Sequence, residues 1–330
     1  MLPSKGNNTI VETYFTHRID PVLFRIGEIE TYWYGLGYAV GFLGLHLWMM
    51  VRRRNLGWSA KEVYGFSILF AVCVLLGGRL FSVFFYHWEY FAPRPMEIIA
   101  IWRGGLTSHG LLIGGVTACA IASFWLRQPL ARLLDEVAIP AAFFLALGRL
   151  GNFINGQIVG SVTQMPWGVI FPGFDEPRHP VTLYEAIKNL LLVPILILVA
   201  RRYGMGRGLV AAHFILWYGF LRIIADLYRD YAGTYWGIGK GQFYNFGMAF
   251  AGLVLVLVLK QRPGVSAGPK VTYPEPSFMA LLPRRLLFAL VLCVCLLARS
   301  GWNQDVIKSI RSSEEIKSKT IGTIELVFQS

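Results

Sequence analysis

The sequence predicts an all-α membrane protein: a polytopic bundle of seven transmembrane helices, with a candidate eighth near the C-terminus. Three observations carry that prediction. The chain is 55% hydrophobic and 15% charged, with a mean hydropathy of +0.51, whereas a soluble domain carries about 25% charged residues. Several nearly uncharged runs approach the roughly 20 apolar residues that a bilayer-crossing helix needs. Basic clusters follow every second run, as they do on the cytoplasmic side of a membrane.

The elements follow in order. Trp33–Met50 is the first run, closed by Arg52, Arg53 and Arg54. Gly65–Tyr86 returns, and Leu111–Leu126 ends at Arg127 and Arg132. Val137–Phe153 is the fourth run, and Val181–Ala200 the fifth, followed by Arg201, Arg202 and Arg207. Leu209–Asp226 and Gln242–Leu259 complete the set, the last ending at Lys260 and Arg262. Odd-numbered spans therefore end inside, and the N-terminus is expected outside. The net charge of +12 is accounted for by these turns, so no nucleic-acid role follows from it. No cleavable signal peptide is expected, because residues 1–32 lack a basic region followed by an apolar run. The four cysteines, Cys73, Cys119, Cys293 and Cys295, all fall in apolar runs and read as small packing residues. No metal-ligand spacing appears.

This topology gives each polar residue a depth. Arg79 lies past the middle of the second span, toward the outside. His109 stands at the mouth of the third, Arg149, Asn152 and Asn155 at the outer end of the fourth. Tyr184, Glu185 and Lys188 open the fifth, and Arg222, Asp226 and Arg229 close the sixth. An arginine at the centre of a spanning helix costs about 2.5–3.5 kcal/mol on insertion scales, so such residues are functional candidates by default. Their common depth points to one polar cavity at outer-headgroup level. Two arginines there offer planar bidentate donors suited to a phosphodiester, and His109 offers a proton acceptor. Arg222 and Asp226, spaced i,i+4, share a helix face and can pair. Structural accounts stand beside these: an ion pair of Arg79 with Glu185 between helices, snorkelling for Arg229, and packing hydrogen bonds for His46 and His213.

The motifs resemble those of the prolipoprotein diacylglyceryl transferase family. Trp33-Tyr34-Gly35-Leu36, Leu76-Gly77-Gly78-Arg79, Ser108-His109-Gly110, the stretch Gly148 to Gly156 with Gly160 downstream, Arg178-His179-Pro180 with Leu183-Tyr184-Glu185, and Tyr218-Gly219 with Arg222 occur in the family's order. The resemblance implies transfer of a diacylglyceryl group from phosphatidylglycerol to the lipobox cysteine of a prolipoprotein signal peptide, without a cofactor. It also implies an active site facing the outer leaflet of the bacterial inner membrane. His109, Arg149, Arg222 and Tyr34 become candidate catalytic residues. Asn152, Asn155, Gln157, Gly160, Arg79, Tyr184, Glu185 and Asp226 join Arg149 as candidate substrate-binding residues.

The chain departs from the family pattern in places. Gln157 stands where the family usually has glutamate, Ser161 replaces a basic residue, Asp226 a glutamate, and Leu111 a glycine. Gln157 removes a charge from the site, and a catalytically silent relative that binds phospholipid or lipoprotein precursors is therefore the alternative. A transporter and an intramembrane protease fit less well: no inverted repeat is visible, and Asp226 has no aspartate partner within a span. The expected organisation is a transferase membrane domain over 1–262, a cytoplasmic linker over 263–285, and a short apolar helix with a polar tail over 286–330.

Overall fold

The computed structural model describes residues 14–100, 105–230, 234–235, 238–261 and 274–297. Helices dominate it: α1 (Trp33–Leu56), α2 (Ala60–Phe81) continued by a π-helical turn over Ser82–Tyr86, the short α3 (Trp88–Phe91), α4 (Ser108–Trp125), α5 (Leu130–Ile154), α6 (Val181–Tyr203), α7 (Leu209–Asp226), α8 (Lys240–Gln261) and α9 (Phe278–Leu296). Among the described residues, 8 helices are long and apolar enough to cross a membrane. The seven expected spans are all present, and α9 is the eighth.

Local chemistry sets the ends. Ser59 and Glu62 form a reciprocal capping box that starts α2, and Gly57, in the left-handed region at φ 73°, stops α1. The helix α9 begins at Phe278 rather than at the apolar run from Leu286, because Ser277 accepts a hydrogen bond from the Ala280 amide at 3.3 Å. The guanidinium of Arg285 lies over the Phe278 ring, 4.4 Å from its centroid. The tail over 298–330 and the linker over 262–273 lie outside the described residues.

Packing makes α5 the hub: it contacts α1, α6, α7 and α4, while α2 packs on α4 and α8 on α7. Apolar surface gains little by moving from lipid to protein, so close backbone approach and polar ties carry helix association. The second-span and His–Gly motifs meet in this way, since a Cβ on Gly77 would stand 2.5 Å from the Gly110 carbonyl oxygen. Outward faces remain apolar and exposed, as at Leu47, Phe124, Leu198 and Phe250.

The two ends of the bundle differ. One end gathers the basic turns: Arg52 pairs with Glu136, Gln128 donates to the Leu56 carbonyl, and Arg53 pairs with Glu275 just before α9. The opposite end carries the polar motifs named above, under a cap built from the segment between α5 and α6. In that cap β1 (Phe15–Thr16) pairs in parallel with β4 (Val169–Ile170), and Gly160 bridges to Arg229 after α7. Alongside it β2 (Val22–Ile26) and β3 (Ile29–Tyr32) form a hairpin that leads into α1. The helix α9 runs from end to end, antiparallel to α1. It starts beside Arg53, sets the Phe288 ring 4.7 Å from that of His46, and finishes against Gly35, where an added Cβ would stand 2.5 Å from the Cys295 carbonyl oxygen.

Candidate active site

Glu185 is the centre of the capped end. It sits in the second turn of α6, which Pro180 starts, and its side chain is 0% exposed. Arg149, from the last turns of α5, places Nε 2.5 Å from Glu185 Oε2. Arg222, from the last turns of α7, donates Nη1–H to the same oxygen in a short contact. Glu185 Oε1 is buried and has no hydrogen-bond partner among the described residues, an exception that calls for an explanation.

The ring of polar contacts widens from there. Arg222 Nε lies 3.1 Å from Asp226 Oδ1, so the i,i+4 pairing expected from the sequence forms. Asn245 of α8 donates to Asp226 Oδ2 at 2.8 Å, and Arg229 stands 3.9 Å from Oδ1. On the other side Arg149 Nη1 donates to Asn152 Oδ1 at 3.3 Å. Asn152 Nδ2 donates in turn to Gln157 Oε1 at 3.2 Å. Three guanidiniums against two carboxylates leave an excess of one positive charge, and Lys188 lies one turn further along α6. The balance favours an anion.

The other sequence candidates take distinct places. Tyr34 is buried on Gly151, with its hydroxyl 3.0 Å from that of Tyr38. His109 opens α4, with its ring 6.1 Å from Phe81 and 5.4 Å from Tyr244. The fields of Arg222, Arg149, Asp226 and Arg229 all reach it. Asn155 caps the C-terminus of α5. Gly160 belongs to the cap, donating to the His179 carbonyl at 3.1 Å and accepting from Arg178 at 3.0 Å. Tyr184 faces away from the arginines: its hydroxyl accepts from Trp167 Nε1 at 2.7 Å and lies 3.0 Å from His179 Nδ1.

Arg79 requires a correction. It does not pair with Glu185; it donates to the backbone carbonyls of Ile98 at 3.1 Å and Glu97 at 2.6 Å and lies over the Phe91 ring. The reason is topological. Its helix α2 packs on α4, α1 and α9, whereas Glu185 comes from α6, which packs on α5 and α7. Arg79 thus organises the segment after α2. The expected packing role of His46 holds, with Nδ1 2.9 Å from Ser67 Oγ.

Some residues of this end escaped the sequence reading. Asn245 is one, and its signal was an amide in an otherwise apolar span. His17 is another: its Nε2–H donates to the Phe153 carbonyl at 2.8 Å, fastening the end of α5 to the cap. Outside the spans, burial holds His179 and His87 below the usual histidine value of 6.5, His87 also through Arg79.

Comparison with known proteins gives the family. The family model described as Prolipoprotein diacylglyceryl transferase matches residues 21–258. A phosphatidylglycerol–prolipoprotein diacylglyceryl transferase of Geobacter sulfurreducens is 36% identical over 260 residues, covering 75% of this chain and 98% of its own. The protein of that name from Pasteurella multocida is 37% identical over 261 residues, covering 76% and 96%. The one from Aeromonas hydrophila is 36% identical over 255 residues, covering 74% and 92%. With this match over most of its membrane-spanning helices, the chain belongs to the prolipoprotein diacylglyceryl transferase family.

Proposed function

We propose that this chain transfers the sn-1,2-diacylglyceryl group of phosphatidylglycerol to the thiol of a lipobox cysteine in prolipoprotein signal peptides. The sulfur bonds to the glyceryl carbon that carries the phosphate, the carbon–oxygen bond to phosphate breaks, and glycerol phosphate leaves. The observation that carries this reading is the convergence of Arg149 and Arg222, from different helices, on one buried carboxylate oxygen. Glu185 aims two guanidiniums at a common point within a net positive site, the arrangement that stabilises charge building on a leaving phosphate. Its second oxygen, without a partner among the described residues, is suited to accept from a headgroup hydroxyl.

His109 takes the thiol proton in this scheme, since a thiol with an ordinary pKa of about 8.5 is mostly protonated at neutral pH. Tyr34 and Asn152 position headgroup or glycerol oxygens. Gln157 supports an active enzyme over a silent one, because its carbonyl oxygen accepts from Asn152 as a carboxylate would. Asp226 supports it too, reaching Arg222 despite its shorter side chain. The basic turns at the far end of the bundle support a site that faces the outer leaflet of the inner membrane, with the N-terminus outside. The transferase domain in this reading spans 1–262.

The test is a transfer assay with the purified full chain, phosphatidylglycerol vesicles and a lipobox peptide, read by the mass of the cysteine adduct. A diacylglyceryl-sized gain that disappears with a Cys-to-Ser peptide and with Arg149→Ala is expected. No gain, with an active relative working in the same tube, would sink the proposal.

A further inference from the structure

The start of α8 presents two buried amides to the end of α7, and the mechanism above gives neither a task. Gln242 Nε2–H donates to the Ile223 carbonyl at 3.1 Å, and Asn245 Nδ2–H donates to Asp226 Oδ2 at 2.8 Å. The helices come this close because Gly219 faces α8. A Cβ there would stand 2.7 Å from the Ala249 amide nitrogen and 3.0 Å from the Asn245 carbonyl oxygen. Close approach at a small residue, with polar ties beside it, is how helices associate in lipid. Such a tie accounts for Gln242, whose acceptor is a backbone carbonyl. Asn245 differs, because its acceptor is the carboxylate that also meets Arg222.

Asp226 is buried, and one of its oxygens serves two cations. Arg222 Nε lies 3.1 Å from Oδ1, and Arg229 Nη1 lies 3.9 Å from the same atom. The two arginines are unequal. The Arg222 side chain is 8% exposed and also reaches Glu185, whereas that of Arg229 is 25% exposed and follows the helix end. An aspartate carboxylate turns easily about its last torsion, whose preference is broad and roughly two-fold. The bond from Asn245 to Oδ2 removes that freedom and keeps Oδ1 turned toward Arg222. The donor is neutral, so the bond leaves the positive excess of the site unchanged. Its orientation follows from its partner, since an ionised carboxylate only accepts and Asn245 must present its NH2 group.

We propose that Asn245 is a positioning residue for the transfer reaction: it locks Asp226, and Asp226 aims the Arg222 guanidinium. This rests on the reading given under Proposed function, in which Arg222 meets the phosphate, and it adds no bond to that reaction. Arg222 is held at two of its nitrogens, Nε by Asp226 and Nη1 by Glu185. Two anchors on one planar group fix the plane as well as the place of the fork. A guanidinium favours a phosphate over a point charge only through that geometry, and small misplacements at a reacting centre are costly. The chain of contacts runs from α8 through the last turn of α7 to Glu185 on α6, so a helix outside the arginine pair sets the aim of one of its members.

The test is a double-mutant cycle in the full chain, read by the transfer assay. Asn245→Leu is expected to lower kcat about tenfold and leave the peptide KM within about twofold. In an Asp226→Ala background the same change should alter kcat by less than about twofold, because Asn245 acts only through that carboxylate. Equal losses in both backgrounds would overturn the proposal, as would an unchanged kcat in Asn245→Leu with a lowered thermal midpoint, the pattern of a helix tie alone. Asn245→Ser, which stays polar but falls short of Asp226, should reproduce the loss if the leucine variant folds poorly. A second arm is independent of turnover. In protein labelled with 15N-arginine, the Nε–H resonance of Arg222, assigned by its absence in Arg222→Lys, should shift or broaden in Asn245→Leu and Asn245→Ser. A resonance that stays in place ends the proposal. A parent that transfers nothing while this resonance still moves would instead sink the reading under Proposed function and leave the Asn245–Asp226–Arg222 link standing.

Discussion

Both ends of the bundle bury carboxylates, and the two ends treat them differently. At the basic end Asp135 is 0% exposed and accepts from the backbone amides of Gly206 at 2.8 Å, Gly208 at 2.9 Å and Ala211 at 2.9 Å. It caps the start of α7 from the side of α5, where the helix dipole favours a negative charge. Glu136 beside it takes a two-pronged pair from Arg52 at 2.9 and 2.8 Å. At the capped end Glu185 is equally buried, yet both its cations crowd one oxygen while the other has no partner among the described residues. The comparison separates structure from function by satisfaction rather than by burial. The fully bonded carboxylates hold helices together. The half-bonded one belongs to the site proposed above to meet the phospholipid.

Substitutions can break that distinction, and the largest effects belong to the capped end. Arg149→Lys or Arg222→Lys keeps the charge but loses the fork, and kcat in the transfer assay should fall by about 100- to 1000-fold. Thermal unfolding in detergent should barely move; a large loss of stability with normal kcat would reverse the roles given to the two ends. Asp135→Ala is the mirror experiment. It strands buried amides, each worth about 1–3 kcal/mol, so stability should fall by roughly 3 kcal/mol or more while the remaining folded protein keeps its kcat.

Smaller effects sharpen the contrast. Cys295→Trp would push α9 off Gly35 and disturb Tyr34 beside it; a drop of about tenfold in kcat, or about 1.4 kcal/mol, with the lipid KM unchanged, would show that α9 helps to place the site. Gln157→Glu keeps the acceptor for Asn152 and makes it charge-assisted, which is about twice as strong as a neutral bond. The rate should therefore change by no more than about fivefold, a difference of roughly 1 kcal/mol. A hundredfold gain would show instead that this chain works far below the family norm. The smallest effect is on pH. His179 and His87 bind protons less readily folded than unfolded, so their neutral forms favour the fold. That contribution is present above the unfolded value near 6.5 and is lost as pH falls below it. The thermal midpoint should drop modestly between pH 7 and pH 5, and less in a His179→Gln, His87→Gln variant.

Much of the site was legible because the signal was local. Arg149, Asn152, Glu185, Arg222 and Asp226 stood out as polar groups in apolar spans, and the alternation of basic turns gave them one depth. Asp226 could be matched to Arg222 from helical periodicity alone. Arg79 has the same local signature as Arg149, and its role differs only because α2 lies on another side of the bundle. Lys188 read as one more charge near a helix start, and only the fold sets its amine over the Tyr218 ring and against Asn189. Asn245 and His17 gave weaker signals, since each acts through a contact with a distant segment.

The sequence by itself determined the helical membrane class, the seven spans, the basic and polar ends, and the family. These follow from hydrophobic run length, charge placement and short motifs, all properties of neighbouring residues. The tertiary structure alone decided that Arg149 and Arg222 share one oxygen of Glu185, that Arg79 serves a different segment, and that α9 runs the length of the bundle to end against Gly35. The physical reason is that pairing between helices depends on which faces pack, and in a membrane that choice rests on close contacts and polar ties between residues far apart in the chain.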